Sequence, residues 1–383
     1  MTGRPLGRSA LRRIAGAVVA AEVSRLRPAG TAGLVSGPWP DATAIGDGGL
    51  GLDSLEQLGA LGALAECFGL DEAGLGPNRP ATVEQWVDWV ERGRAADGPI
   101  TVLTSGSTGT PQPCTHAIAD LLDEAEFLAR TLDGRRRVVA LVPAHHLYGL
   151  IWTAILPDLL GVPVVSRTLG AGLHLEPGDL VVAVPEQWRA MLRLLRRLPD
   201  DVAGVSSGGP LPDDVAAGLR GAGLARLWDV YGSSETGAIA LREWPAADHA
   251  LLPRWTLADG EGLLDRSGRF FPLPDHVERT GPRSLRPAGR RDGAVQVGGH
   301  NVWPARVAAH LRALEGVADA AVRLGANGRL KAFVVPAPGS DAATLGPVLD
   351  RAVARLAEPE RPKSFTFGAA LPLNGMGKAA DWG

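Results

Sequence analysis

Cysteine is nearly absent: Cys67 and Cys114 are the only two in 383 residues. That excludes a disulfide framework and a cysteine-rich metal site. Charge of one sign is not in excess either. The net charge is −3 and the pI is near 6.3, which creates no field for nucleic acid or an anionic membrane. The histidines are scattered, and their one adjacent pair, His145-His146, lacks metal-ligand spacing. The apolar stretch from Ile14 to Val23 follows arginines but is too short to span a bilayer, and no small-residue cleavage site is convincing. A soluble, cytoplasmic protein is therefore the expectation. No internal repeat is visible, and no GxxxxGK[ST] nucleotide loop occurs.

What remains is a globular composition, 45% apolar and 21% charged, with fifty glycines and thirty prolines. The length predicts two or three domains, each able to bury a core. The first hundred residues carry helical apolar stripes. Leu11, Ile14, Val18 and Ala21 form one; Leu55, Leu58, Leu61, Ala65 and Phe68 another; Val83, Trp86, Val87 and Val90 a third. Asp53 is placed to cap the second of these helices. Residues 91–98 are polar and read as a linker. From there to about residue 287, strand-like runs (Val138 to Val142, Val162 to Val165, Leu180 to Val184) alternate with helical ones (Gln187 to Leu198, Asp213 to Leu219). Such alternation predicts an α/β layer structure with a largely parallel sheet. The tail from Gly289 alternates strand and helix around an Asn327-Gly328 turn and predicts a compact α+β domain.

The densest local signal is Thr104-Ser105-Gly106-Ser107-Thr108-Gly109-Thr110-Pro111, directly after the apolar run 99–103. Glycines and hydroxyls in such a turn let N–H and O–H groups converge on an anion, most often a phosphate. A plain Ser/Gly linker has a similar composition, and the segments further along separate the two readings. They are Ser207-Gly208-Gly209-Pro210, Tyr231-Gly232-Ser233-Ser234-Glu235-Thr236-Gly237, Gly289-Arg290-Arg291-Asp292 and Asn374-Gly375-Met376-Gly377-Lys378. In this order and spacing the chain resembles the adenylate-forming ligase superfamily, which includes acyl- and aryl-CoA ligases and adenylation domains of peptide synthetases.

The resemblance implies ATP and Mg²⁺ as cofactors and assigns roles. Thr104 to Gly109 would cradle the triphosphate, and Glu235, with Ser234 beside it, would hold the Mg²⁺. Ser207, Gly208 and Gly209 would cover one face of adenine, with Tyr231 and Gly232 on the other. Arg290 and Asp275 would hold the ribose, although Asp275 lacks the usual preceding Thr-Gly. Lys378 would bridge the carboxylate and the α-phosphate. Asp292 would be the hinge of a C-terminal lid, and His146 would border the acyl pocket. Gln112 stands where the superfamily usually has Lys, so one phosphate-steadying charge is missing; His116 or an arginine is a candidate substitute.

The N-terminal part departs from the superfamily, whose long leading subdomain is missing. In its place Gly51-Leu52-Asp53-Ser54-Leu55 resembles the phosphopantetheine attachment site of carrier proteins, with Ser54 as the modified hydroxyl and Glu56 and Glu66 on an acidic face. The resulting expectation is three domains: a four-helix carrier-like bundle over 1–95, an AMP-binding α/β core over 96–288 and a lid over 289–383. Their expected activity is adenylation of an aryl or short unsaturated acid. Transfer to a 4′-phosphopantetheine thiol would follow, on Ser54 or on a separate acyl carrier protein, in specialised-metabolite assembly. A phosphopantetheinyl transferase and downstream synthase enzymes would then be partners. A ligase that uses free coenzyme A, and a non-catalytic scaffold, are the alternatives.

Overall fold

The computed structural model describes residues 5–27, 34, 37–71, 79–104, 112–132, 134–259, 262–372 and 380–382. They divide into two units. Residues 5–104, 112–272 and 279–286 form the first; residues 273–278 and 287–382 form the second.

The first unit opens with helices α1 (Arg8–Leu26), α2 (Ser54–Phe68) and α3 (Val83–Gly93). The expected cap on α2 is present: the Asp53 carboxylate accepts from the N–H groups of Leu55 and Glu56 at 2.9 and 2.8 Å, and Glu56 accepts in return from the Asp53 N–H. Three helices are described here, not four, and they do not separate as a domain ending near residue 95. They share the unit of the α/β core because α1 is built into it. The Arg13 guanidinium reaches Thr153 and Ser166, and the Gly7 N–H donates to Asp158 at 3.1 Å. Glu56 is not part of an outward acidic face. It is 7% exposed and held by Arg27 at 2.7 Å. Leu55 and Leu58, expected on the buried stripe, are instead 64% and 53% exposed.

A hairpin follows, β1 (Ile100–Thr104) and β2 (Gln112–His116), then α4 (Ile118–Thr131). Thr104 pairs directly with Gln112, so the two ends of the glycine- and hydroxyl-rich segment are held side by side. The α/β layer continues through β3 (Arg137–Ala140) and α5 (Leu147–Leu150). A π-helical turn (Ile151–Ile155) leads into α6 (Leu156–Leu160) and β4 (Val164–Ser166). The rest is β5 (Asp179–Ala183), α7 (Pro185–Leu194), β6 (Ala203–Ser206), α8 (Asp213–Gly221), β7 (Arg226–Ser233), β8 (Gly237–Glu243) and β9 (His249–Leu251). A small three-stranded sheet is made by β10 (Thr256–Leu257), β11 (Gly262–Leu264) and β12 (Phe270–Pro272). Strands β13 (Asp275–Gly281) and β14 (Ser284–Arg290) carry the chain toward the second unit.

The main sheet has nine strands in the order β13-β14-β9-β8-β7-β6-β5-β3-β4. From β4 to β7 the pairing is parallel; β8 and β9 turn it antiparallel. Strands such as Asp179–Ala183 are buried along their whole length, as a sheet covered on both faces requires. Trp188, Met191, Val215 and Leu219 from α7 and α8 pack with Val139, Val181 and Leu227 of the sheet to form the core of this face.

The second unit contains the hairpin β15 (Val295–Val297) and β16 (His300–Val302), α9 (Pro304–Arg312), β17 (Val317–Leu324), β18 (Leu330–Pro336), α10 (Ala342–Val353) and β19 (Ser364–Phe367). Its sheet order is β17-β18-β19, and Val307, Leu311, Val334, Leu345 and Leu349 lie in its core. The α+β tail is as expected, but its boundary is not a cut at 288/289. The crossing lies within the β13 and β14 strands, so Asp275 belongs to the second unit.

Candidate active site

The segments at His146, Ser207 and Tyr231 follow β3, β6 and β7 at the carboxyl ends of parallel strands, where open α/β sheets bind ligands, whereas Thr104 ends a strand of the separate antiparallel β1-β2 hairpin. Strand β6 ends at Ser206 and runs into Ser207-Gly208-Gly209; strand β7 carries Tyr231 and Gly232 and runs into Ser234-Glu235. The Ser207 hydroxyl donates to the Val230 carbonyl at 3.0 Å, which holds the glycine turn against β7 beside Tyr231. Tyr231 is 9% exposed, and its ring meets His249 edge-on at 6.2 Å. Beneath it Asp229 is buried and pairs with Arg242 at 2.9 Å and His249 at 3.3 Å. A glycine turn held beside an aromatic ring that is fixed from behind suits contact with a planar base.

Glu235 sits on a locked loop. The Ser233 hydroxyl lies 3.1 Å from the Thr236 hydroxyl, and the Glu235 N–H donates to Ser233 Oγ at 3.3 Å. Gly237 has φ of 71°, and a Cβ there would fall 2.6 Å from the Glu124 carboxylate, so both backbone and space require glycine. Glu124, fully enclosed on α4, accepts from the Ala238 N–H at 3.0 Å, and burial pushes its pKa up to about 8. The Glu235 side chain itself is exposed and forms no salt bridge among the described residues. A single free carboxylate on a rigid loop suits Mg²⁺, which takes few protein oxygens and leaves the rest to phosphates and water. Among the described residues, no group of three or more acidic, histidine or cysteine side chains offers a complete protein cage.

Two residues of β2 connect this loop to that strand: Cys114, which sequence reasoning did not single out, and His116, expected there only as a substitute charge. Cys114 Sγ donates to the Ser234 carbonyl at 3.0 Å, and His116 Nε2 lies 2.8 Å from the same oxygen. A carbonyl only accepts, so Nε2 carries the proton. Burial lowers the His116 pKa, and burial together with the Glu235 charge pushes the Cys114 thiol up to about 11. His116 is therefore a neutral strut under the Glu235 loop, not a replacement cation for Gln112. A Cys-x-His alternation on a strand leaving a glycine loop was the available signal.

The segment after β3 brings His145 and His146 together, with ring centroids 4.1 Å apart and His146 exposed at the start of α5. The Tyr148 hydroxyl is shared between the carbonyls of Val205 and Ala183 at 3.0 and 3.1 Å. It pins this loop across the ends of β5 and β6. A Cβ on Gly149 would meet the Pro143 carbonyl at 1.9 Å, so the loop closes this tightly only on glycine.

In the second unit, Arg290 donates to both oxygens of Asp292 at 3.1 and 2.8 Å and lies 4.0 Å from the Asp275 carboxylate. Asp275 is 8% exposed, and the Arg291 guanidinium donates to its carbonyl at 3.1 Å. Asp275, Arg290 and Asp292 thus form one cluster. Ser105, Gly106, Ser107, Thr108, Gly109 and Lys378 lie outside the described residues. Flanking Lys378, the Ala380 N–H donates to the Pro372 carbonyl at 2.8 Å, and Asp381 pairs with Lys331 at 2.9 Å.

A protein-family model described as AMP-binding enzyme matches residues 57–258, more than half of the chain. A 4-coumarate–CoA ligase of Rhodobacter capsulatus is 40% identical over 364 residues, covering 90% of this chain and 94% of its own. One from Cereibacter sphaeroides is 37% identical, covering 99% and 97%. One from Halorhodospira halophila is 39% identical over 85% and 87%. Among solved structures, an o-succinylbenzoate CoA synthetase from Bacillus subtilis aligns with TM-score 0.59 at 20% identity over 77% of this chain and 73% of its own. A malonyl-CoA ligase aligns with TM-score 0.58 at 22% identity over 78% and 77%. At such identities the two structures speak for the fold alone.

Proposed function

The chain belongs to the AMP-binding enzyme family and is an AMP-forming acid–CoA ligase, and we propose that the acid it activates is a hydroxycinnamic acid of the 4-coumarate class, delivered to free coenzyme A. The observation that carries this reading is the agreement of the three 4-coumarate–CoA ligases. All are 37–40% identical to this chain, and the alignments cover 85–99% of it. Transfer to coenzyme A accordingly takes the place of transfer to a carrier protein as the main reading.

In this proposal one oxygen of the substrate carboxylate attacks the α-phosphorus of ATP and pyrophosphate leaves. The thiol then attacks the acyl carbon and AMP leaves. Glu235 would hold Mg²⁺, whose chemistry when bound would be to offset phosphate charge. Thr104, Ser105, Gly106, Ser107, Thr108 and Gly109 cradle the outgoing phosphates. Ser207, Gly208 and Gly209 cover one face of adenine, and Tyr231 and Gly232 the other. Asp275 and Arg290 hold the ribose. Lys378 supplies positive charge where the pentacovalent phosphorus forms, and His146 borders the acyl pocket. Asp292 is the pivot about which the second unit exchanges one half-reaction for the other. The test is thioester formation with ATP, Mg²⁺ and coenzyme A over a panel of acids, followed by mass. A hydroxycinnamate should be the best substrate; preference for a succinyl-aryl or dicarboxylic acid overturns the assignment.

One observation keeps the carrier reading as a second proposal. Ser54 is exposed at the first turn of α2, next to the exposed Leu55 and Leu58. A phosphopantetheinyl transferase with coenzyme A should add one phosphopantetheine to the intact chain and none to Ser54→Ala. An unmodified wild-type mass ends that reading. As for a membrane, no helix among the described residues is long and apolar enough to cross one.

A further inference from the structure

Arg13 points from the buried side of α1 and is 6% exposed. Its Nε and Nη2 reach only neutral oxygens, Thr153 Oγ1 at 3.4 Å and Ser166 Oγ at 3.2 Å. Its Nη1 is buried with no hydrogen-bond partner among the described residues. Burial alone lowers its pKa to about 10, with no carboxylate contributing, so the group remains charged at neutral pH. A buried charge without a counter-charge is among the costliest arrangements a fold can keep.

A second guanidinium lies beside it. Arg167, just past β4, donates from Nη1 to the Ser166 carbonyl at 3.2 Å, while its Nε is buried and unpartnered. Both arginines line one cavity of about 540 Å³, together with Ser166, Thr168 and His174, and no Asp or Glu belongs to its wall among the described residues. His174 is held at φ of 45°, a backbone region that a residue with a Cβ enters only at a cost. The remaining wall, including Val142 and Pro143, is apolar.

The place in the sheet is also that of a ligand site. Strand order runs β4-β3-β5, so the winding reverses at β3. The cavity opens past the carboxyl ends of β3 and β4, beside that reversal, where crevices of α/β sheets form. Among the described residues, its wall includes none of Ser207, Tyr231 and Glu235.

We propose that this cavity is a second binding site of the first unit, and that it takes an organic anion whose phosphate or carboxylate group seats on Arg13 and Arg167. Two sources carry that chemistry: the phosphorylated ribose of coenzyme A, and a free organic acid or phosphate. The site does not depend on which acid the enzyme activates.

The experiment is calorimetric titration of the full chain with inorganic phosphate, paired with thermal melting across the same phosphate range. Wild type should show one phosphate site more than Arg13→Met or Arg167→Gln, or bind that site about tenfold or more tighter, as loss of a charge-assisted hydrogen bond predicts. Its phosphate-dependent rise in melting temperature should shrink in both variants. A purely structural arginine would change the melting temperature without phosphate and leave the phosphate dependence intact; that result overturns the proposal. If Arg13→Met does not fold, Arg167→Gln, which leaves the contacts of α1 in place, decides alone. Equal phosphate binding in wild type and in the folded variants also overturns it. Titration with coenzyme A and with its analogue lacking the 3′-phosphate then separates the sources. A variant-sensitive preference for the phosphorylated form assigns the nucleotide end of coenzyme A; no preference, with binding of free phosphate retained, assigns a free anion.

Discussion

Glu235 and Asp292 are both loop carboxylates, and their surroundings are opposite. Around Glu235 the neighbours fix the backbone: Ser233, Thr236, Glu124, Cys114 and His116 all bind main-chain groups of that loop or side chains within it. The carboxylate itself is left exposed. At Asp292 the carboxylate is consumed. It takes two donors from Arg290 and the Ala294 N–H at 3.1 Å, and the Arg290 hydrogen bonds hold its pKa below the usual carboxylate range. A free charge on a rigid loop is preorganised for a cation that arrives with the substrate. A charge spent on its own turn shapes the backbone, and the pivot proposed for Asp292 would act through that turn.

The sharpest way to break this comparison is to separate the half-reactions. Lys378→Ala should abolish acyl-adenylate formation and leave transfer from synthetic acyl-adenylate to coenzyme A in place. Asp292→Pro, which fixes φ near −65° and removes an N–H, should do the reverse. If each variant loses both half-reactions while folded, Asp292 is no pivot. Next in size is Glu235→Gln, which keeps shape and removes charge. We expect a loss of roughly 10²-fold or more in acid-dependent pyrophosphate release, the scale of one preorganised electrostatic contact. Near-wild-type turnover would mean that this free carboxylate serves no metal.

Two smaller effects test the lock around Glu235. Gly237→Ala puts a Cβ at positive φ and against Glu124, and should cost about 1–2 kcal/mol in chemical denaturation from the backbone alone, with a raised KM for Mg-ATP. The other concerns Glu124. Its folded pKa of about 8 lies above the ordinary value of 4.5, so the native state binds the extra proton. Its contribution to stability is therefore fully present below pH about 4.5 and is lost as pH rises through about 8. Glu124→Gln, still able to accept from Ala238, should flatten that decline in a melting series. An unchanged slope would place the titration elsewhere.

Legibility followed the range of the interactions. The expected strands at 138–142, 162–165 and 180–184 and helices at 187–198 and 213–219 lie within a few residues of β3, β4, β5, α7 and α8, since they rest on local apolar patterning. The Asp53 cap and the Asn327-Gly328 turn are equally local, and Gly328 indeed has φ of 75°. Hidden were the partners: which side of α2 faces out, that Glu56 is bound to Arg27, and that His116 supports Ser234 across 118 positions of sequence. Periodicity identifies an amphipathic face but not the surface it meets.

By itself, then, the sequence determined which turns could approach a phosphate, where carboxylate and aromatic stand after each strand, and that the tail is an α+β unit. Glycine, hydroxyl and apolar spacing act over a few bonds and need no partner to be read. Only the tertiary structure decided that the N-terminal helices belong to the α/β unit, that Glu235 is free while Asp292 is spent, and that Arg13 lies buried without a counter-charge. Each of those depends on groups brought together from distant positions, and burial and pairing are properties of the contact, not of either residue alone.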